Sequence, residues 1–500
     1  MSRKMIIIGA GISGLSVGCY GRMNGYQTHI LEHHTLPGGL CTAWKREGFT
    51  IDGCIHWLMG SRPGSPLYRV YRELGAFADG DIIALTHFAT MVDEEEGWQL
   101  DVTWDLDRLE RDLLRLAPED RAVIRELLAG VRKASTIPVD LPVPGEFRTR
   151  LESLQGLWTA RGVILLMLRY MMTTREFADR KVKSPVLHRV LTRLLLPEIP
   201  TAFWMTTIGH IAGGGMGRIR GGSLRFARSI ADRYRALGGE VTYGARVEQI
   251  LVQGDRAVGV RLADGTELRA DLVVSAADGH STIFELLEGR YVDDRVRERF
   301  DTWPRFPAIL LLSYGVADPC RGVTESFNLR LRRPLESVRS PRPRALGLRV
   351  MNFDDTLTPE GKTVVQAVVE ADWDQWWSLQ QADHAAYDRL KQRVSDEVLD
   401  RISGYLPDGA ADKVEMTDVA TPCTLWRYTR NHRGAFEGWL PTPAALRAGV
   451  RRTLPGLGGF YMVGQWVDPG GGIPPAVYAG RHLVAHLCRQ EGRPFRVSMP

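Results

Sequence analysis

The chain opens on an apolar run, Met5-Ile6-Ile7-Ile8, with no polar alternation, which predicts a short strand buried on both faces. It leads directly into Gly9-Ala10-Gly11-Ile12-Ser13-Gly14 and a small-residue, helix-compatible stretch, after which a second strand over 27–31 ends at Glu32. In the middle of the chain, Gly213-Gly214-Gly215-Met216-Gly217 and Gly221-Gly222-Ser223 open a helix expected over 224–237, where apolar residues recur at helical spacing and Gly238-Gly239 follows as a cap. Strands are expected over 241–243 and 246–252, then a hairpin of 257–262 and 267–270 turned by Asp264-Gly265, then a strand over 271–275. Near the end, a strand over 459–463 runs into a glycine-rich loop and a helix that Pro474-Pro475 start and that continues through about residue 487. Strand and helix alternate at both ends of the chain, which predicts an α/β fold. Two apolar stretches carry less information. Trp373, Trp376 and Trp377 have core-stripe spacing, and the helix expected over 163–172 (VILLMLRYMM, interrupted by Arg169) suits either a buried core or shallow membrane insertion.

The first glycine run has chemistry in its spacing. Gly9 permits a tight turn, Gly11 lets backbone approach a pyrophosphate, and Gly14 lets the helix pack on the strand. The helix then offers amide N–H groups and a positive dipole end to phosphate. Glu32 stands 18 residues beyond Gly14, where an acid accepts hydrogen bonds from ribose hydroxyls. Strand, fingerprint, helix, strand and acid in this order predict a dinucleotide site. Just beyond, Gly38-Gly39 supplies a second place for backbone to pass close to phosphate or a ribityl chain. At the other end, Gly470-Gly471-Gly472 precedes a helix whose N-terminus points its dipole at whatever the loop holds.

Composition narrows the alternatives. At 500 residues, two or three domains are expected. Hydrophobic residues at 44% and charged residues at 25% suit a soluble globular protein. A net charge of +5 over this length gives no argument for a nucleic-acid partner. Charge does concentrate locally: seven arginines (330, 332, 333, 339, 342, 344, 349) stand against Glu336 alone over 330–349, broken by Pro334, Pro341 and Pro343. That stretch reads as an extended surface loop, either simply solvated or facing an anionic headgroup or partner. Six scattered cysteines without a CxxC pair indicate neither zinc nor a redox dithiol, and a reducing, cytoplasmic compartment is the default. The N-terminal apolar run, about four residues, is too short for a signal peptide, and no run of ~18 apolar residues exists to span a membrane. No HExxH or GxSxG motif offers metal or hydrolytic chemistry, and no second GxGxxG offers a built-in NAD(P)H domain.

Taken with Pro37-Gly38-Gly39-Leu40-Cys41-Thr42, Gly48-Phe49-Thr50-Ile51-Asp52-Gly53 and His56-Trp57, the N-terminal run resembles the phytoene desaturase and carotenoid isomerase family, within the amine-oxidase-like flavoprotein group. That family pairs the fingerprint and acid with a GG-xx-S/T element, here ending at Thr42, and with a G-F/Y-x-x-D segment. Gly53 follows Asp52 directly where many members have D-x-G. The 213–280 block and the run Gly464-Gln465-Trp466-Val467-Asp468-Pro469-Gly470-Gly471-Gly472-Ile473-Pro474-Pro475 are similar to the family's later cofactor segments, and 431–438 to its segment approaching the flavin ring. The resemblance implies FAD, with Gly9, Gly11, Ser13, Gly14, Glu32, Gly38, Gly39 and Thr42 as contacts. It further implies Val247 at the adenine, and Gly464, Asp468, Gly471 and Ile473 at the flavin.

The expected architecture is a Rossmann-like FAD-binding domain assembled from discontinuous segments (1–74, 211–290, 446–500) with an inserted α+β substrate domain (75–210, 291–445). The implied function is hydride transfer to or from flavin N5 on an apolar unsaturated substrate of polyene or isoprenoid type, as desaturase, isomerase or saturase. Oxygen or a quinone is the expected electron acceptor, and peripheral membrane contact would give access to a water-insoluble substrate. An amine-oxidase-like enzyme acting on a C–N bond, and a non-catalytic FAD-bound pathway protein, are the alternatives. His56 is the titratable group expected beside the flavin, either as acid–base or as a packed histidine.

Overall fold

A computed structural model describes residues 2–138, 140–149 and 161–500, and for 161–165 the backbone alone. Its first layer is a five-stranded parallel sheet. β1 (Lys4–Ile8) leads through α1 (Ile12–Met23) to β2 (Gln27–Glu32), and α2 (Gly222–Ala236) leads to β3 (Glu240–Tyr243). β4 (Leu272–Ser275) and β5 (Phe460–Met462) complete the sheet, and α3 (Ile473–Gln490) follows β5. The order is β3-β2-β1-β4-β5, with every neighbouring pair parallel, so the order reverses beside β1, where open α/β sheets bind their ligands.

The uninterrupted apolar run of β1 has the expected cause. Met5 and Ile7 pack with α1, α2 and α3, whereas Ile6 and Ile8 pack on the other face with Val273, Ile250, Val260 and Phe460. That second face is covered by an antiparallel meander, Val247–Gln253, Arg256–Leu262 and Glu267–Arg269. α1 and α3 approach closely because Gly480 has no side chain; a Cβ there would lie 2.3 Å from the Ser16 carbonyl carbon.

The second layer is a seven-stranded, largely antiparallel sheet built from 87–103, 309–370 and 414–420. Helices Arg121–Ser135, Thr201–Ala212 and their neighbours form a separate apolar cluster around Leu128, Met205 and Ile208. The fold is therefore α/β, with a Rossmann-like domain assembled from discontinuous segments.

Several expectations need correction. Residues 330–349 are not a continuous surface loop. Arg330 ends the strand Ser326–Arg330, Ala345–Val350 is another strand, and Leu331, Leu335 and Val338 between them are buried in the core of the seven-stranded sheet. The arginines are also largely committed: Arg330 to Asp93 and Glu95, Arg339 to Asp372, Arg342 to Glu370, Arg344 to Glu95, and Arg332 to the Glu94 carbonyl. The apolar helix spans Arg161–Tyr170 rather than 163–172; Leu166 and Tyr170 are buried while Leu168 is 74% exposed. Of the three tryptophans only Trp376 is fully buried, and Trp373 and Trp377 stack on each other at 4.9 Å. The glycine run at 213–217 holds a short strand, Met216–Ile219, that pairs with Leu58–Met59 and Ile82–Ala84. Among the described residues no helix is long and apolar enough to cross a membrane.

Candidate cofactor and substrate site

The turn after β1 is shaped by its glycines. Gly9 has φ +98° and donates to the Leu31 carbonyl at 2.8 Å, which ties the turn to β2. A Cβ at Gly14 would lie 2.0 Å from the Gly9 carbonyl oxygen, so α1 can pack on β1 only with glycine there. Gly11 differs: the nearest protein atom to a Cβ would be the Gly38 oxygen at 3.9 Å. Open space therefore lies over Gly11 at the N-terminus of α1, a geometry that can admit an anionic group to bare backbone. Glu32 ends β2 with its carboxylate buried, accepting from Ala10 N (2.6 Å) and His34 N (2.7 Å). Burial pushes its pKa up and these two amide bonds pull it back.

The second glycine pair sits on the first. Gly38 N donates to the Ala10 carbonyl at 2.8 Å, and Gly38 has φ +116°, with a Cβ there only 2.2 Å from the Cys41 oxygen. Gly39 packs with its Cβ position 3.4 Å from the Gly11 Cα. Ala245 N donates to the Glu32 carbonyl at 2.9 Å, which sets buried Val247 two residues from the end of β2.

The C-terminal run joins the same place. Gly464 has φ +96°, and its Cβ position is 3.1 Å from the buried Ser13 Oγ. Asp468 N donates to the Gly464 carbonyl at 3.1 Å, while the Asp468 carboxylate pairs with Arg452, which also faces Glu146 at 3.6 Å. Burial raises the Asp468 pKa and Arg452 opposes it. Gly470, Gly471 and Gly472 all have positive φ (101°, 48°, 81°), a backbone path that side-chain-bearing residues rarely follow. Gly472 caps α3, and Pro474 and Pro475 lie in its first turn.

Thr42, Gly39, His56, Asp468, Gly471 and Ile473 all face one cavity of about 1680 Å³ that reaches from this loop into the second layer. Single small-molecule pockets run to roughly 300–1,000 Å³, so the space suits a cofactor ring plus a long ligand. Its lining is mostly apolar, with Ile55, Trp57, Leu195, Phe203, Ile309 and Leu346 among it, and Arg175, Arg193, Arg342 and Lys391 also reach it. His56 is held well below the usual histidine range by burial, with Arg349 and Arg218 adding to it. It is therefore a neutral imidazole at neutral pH and cannot donate as an imidazolium. Beside it, Asp52 clasps the start of α2: its carboxylate accepts from Ser223 N (2.8 Å), Ser223 Oγ (2.5 Å) and Cys54 N (3.1 Å). No cluster that could hold a metal ion exists among the described residues.

Three side chains were not singled out by the sequence, although the first lies in the 431–438 segment expected near the flavin ring. Glu437 lies on an irregular segment and faces the cavity against Gly471 and Gly472. Arg452 is one arginine among many until Asp468 is seen beside it. Asp278 accepts from Ser281 N at 2.7 Å and, across 154 residues of chain, from His432 N at 2.8 Å.

Comparison with known proteins agrees with this geometry. The flavin containing amine oxidoreductase family profile matches residues 12–488. The chain is 24% identical over 496 residues to a chloroplastic prolycopene isomerase of Daucus carota, covering 95% of this chain and 78% of that one. It is 23% identical over 523 residues to a lycopene-forming phytoene desaturase of Pseudescherichia vulneris, covering 96% and 98%. Among solved structures, the cyclohexylamine oxidase from Brevibacterium oxydans superposes with a TM-score of 0.61 at 17% identity, covering 99% of this chain and 100% of that one. That likeness shows a shared fold.

Proposed function

The chain belongs to the flavin containing amine oxidoreductase family and is an FAD-dependent oxidoreductase; from that premise we propose that it acts on an apolar polyene or isoprenoid-type substrate. When bound, FAD supplies a hydride acceptor or donor at its N5. The observation that carries the substrate class is the cavity of about 1680 Å³, mostly apolar in its lining, which includes the Gly470–Pro475 loop. The prolycopene isomerase and phytoene desaturase relatives, aligned over nearly the whole chain, support the same class.

In this reading Gly9, Gly11, Ser13, Gly14, Glu32, Gly38, Gly39, Thr42 and Val247 hold the nucleotide half, and Gly464, Asp468, Gly471 and Ile473 border the ring. Residues 75–210 and 291–445 form the substrate domain around the apolar end, and 1–74, 211–290 and 446–500 the cofactor domain. His56, neutral and set in the cavity wall, positions substrate and does not act as a cationic acid. Reoxidation proceeds with oxygen or a quinone. Substrate delivery from a bilayer remains part of the proposal through exposed Leu168 and its helix, since the arginines of 330–349 are mostly spent on internal carboxylates.

The test is mass spectrometry of lipophilic molecules that copurify with the protein. Isoprenoid polyenes recovered in proportion to bound FAD support the proposal. A protein that carries FAD, copurifies with no lipophile and turns over amines with peroxide release overturns it in favour of C–N oxidation.

A further inference from the structure

Glu437 is a carboxyl in an unusual position. It follows the bend at Asn431–Gly434, whose Asn431 Nδ2 donates to the Glu437 carbonyl at 3.2 Å and fixes the backbone. The side chain then turns toward the glycine loop. A Cβ on Gly471 would be 3.1 Å from Glu437 Oε2, and one on Gly472 would be 3.8 Å from Oε1. The carboxyl therefore lies along the bare backbone that starts α3, on the wall of the cavity. The residue is half-buried, and no ion pair or hydrogen bond to its side chain occurs among the described residues, so no cation offsets the cost of ionising it away from bulk water.

The charged groups around it are engaged elsewhere. Asp468 is paired with Arg452, Arg433 with Asp374, and Arg305 donates to the Phe300 carbonyl. His432 stacks on His280 at 4.1 Å with its pKa lowered to about 3, so it carries no charge. Asp278, with its pKa raised to about 6, is occupied by Ser281 and the His432 amide. From α3, Tyr478 donates to Asp140 at 2.6 Å, and His482 is neutral with its pKa lowered to about 3. His56, which lines the same cavity, is neutral too. Burial alone acts on Glu437 and raises its pKa to about 8.

We propose that Glu437 is the proton-holding residue of the flavin site: its carboxyl takes up a proton from solvent when the bound FAD is reduced and returns it on reoxidation. The proposal rests on the placement of the flavin ring at the Gly470–Pro475 loop. The balance is direct. Two electrons and one proton go to the cofactor, and the negative charge this leaves makes an ionised Glu437 beside it unfavourable. At pH values where the carboxyl is already protonated, nothing further is taken up. Above that range a second proton binds to Glu437 with each pair of electrons, and reoxidation releases both.

The experiment measures the midpoint potential of the FAD-loaded protein from pH 6 to 10, using dithionite and reference dyes, in the wild type and in Glu437→Gln. Each proton taken up per two electrons moves the potential by about 30 mV per tenfold change in proton concentration. The wild type is expected to steepen from one such increment per pH unit to two as pH rises through about 8, and Glu437→Gln to keep one throughout. Equal slopes in the two proteins would overturn the proposal. Should the variant fail to hold FAD, reduced-minus-oxidised infrared spectra of the wild type at pH 9 decide. A new protonated-carboxyl band that shifts in D₂O is expected, and its absence refutes the proposal. Neither readout uses a substrate, so a wrong substrate class leaves it intact. If the wild type itself binds no FAD, the placement of the ring fails first.

Discussion

Gly11→Ala and Gly14→Ala separate cofactor binding from folding within one turn of chain. Gly11 has φ −65° and ψ 171°, extended backbone that any residue adopts. An added Cβ meets only the Gly38 oxygen at 3.9 Å. Alanine is a poorer N-cap than glycine by some tenths of a kcal/mol, while the stiffer unfolded chain gives back about 0.4–1 kcal/mol. The two offset, so apoprotein stability should move by less than about 0.5 kcal/mol. Binding is another matter, because the methyl group would occupy the space over the N-terminus of α1 that the proposed site gives to the pyrophosphate; a loss of at least about a hundredfold in affinity, near 2.7 kcal/mol, is expected. At Gly14 the same methyl would sit 2.0 Å from the Gly9 oxygen and 3.2 Å from Ala276 Cβ. Relief requires α1 to move off β1, costing about 1–3 kcal/mol or more, against roughly 1 kcal/mol of helix propensity gained. Thermal melting of the apoproteins and FAD titration followed by flavin fluorescence are the assays. Gly11→Ala should melt with the wild type and fail to bind, and Gly14→Ala should melt early with no FAD present. A Gly11→Ala protein that holds FAD with wild-type affinity, or melts as early as Gly14→Ala, would refute the reasoning.

Three further outcomes are expected. Asp52→Ala leaves the Ser223 and Cys54 amides without their acceptor and should destabilise the fold by about 2–4 kcal/mol, measurable by urea denaturation; a change under about 0.5 kcal/mol would contradict the clasp. Glu437 has a folded-state pKa raised from 4.5 to about 8, so its contribution to stability is present below the unfolded value and lost as pH rises through the folded one. The Glu437→Gln apoprotein should therefore melt level with wild type at pH 5 and above it at pH 9, whereas parallel melting curves across that range would count against a half-buried, unpaired carboxyl. In anaerobic stopped flow, NADH and NADPH should bleach the flavin band only slowly, and fast saturable reduction by NADPH would point to a reductase or saturase.

The parts legible in the sequence were those set by local spacing. Met5–Ile8 reads as a doubly buried strand because its run lacks alternation, and both of its faces are covered. At Gly9 and Gly14 the steric reason was readable from six consecutive residues, a tight turn at the first and close packing of α1 on β1 at the second. What escaped depends on distant partners. Asp52 meets Ser223 across 171 residues, and nothing near Asp52 announces it. The charge of 330–349 looked exposed because its carboxylate partners at 93, 95, 370 and 372 lie elsewhere in the chain. Met216–Ile219 is a strand despite its glycine surroundings because Leu58–Met59 and Ile82–Ala84 supply edges to pair with. Glu437 falls in 431–438, the segment expected near the flavin ring, but nothing in that stretch sets its carboxyl apart until Gly471 and Gly472 fold against it.

The most direct test of the central claim is product analysis after anaerobic incubation. FAD-loaded protein, oxidised in one arm and pre-reduced in the other, is given linear polyenes in lipid vesicles, with primary amines in parallel. Chromatography should reveal a polyene altered in double-bond number or geometry in at least one arm, with the amines unchanged. Unchanged polyenes in both arms, together with amine-dependent reduction of the flavin, would contradict the account.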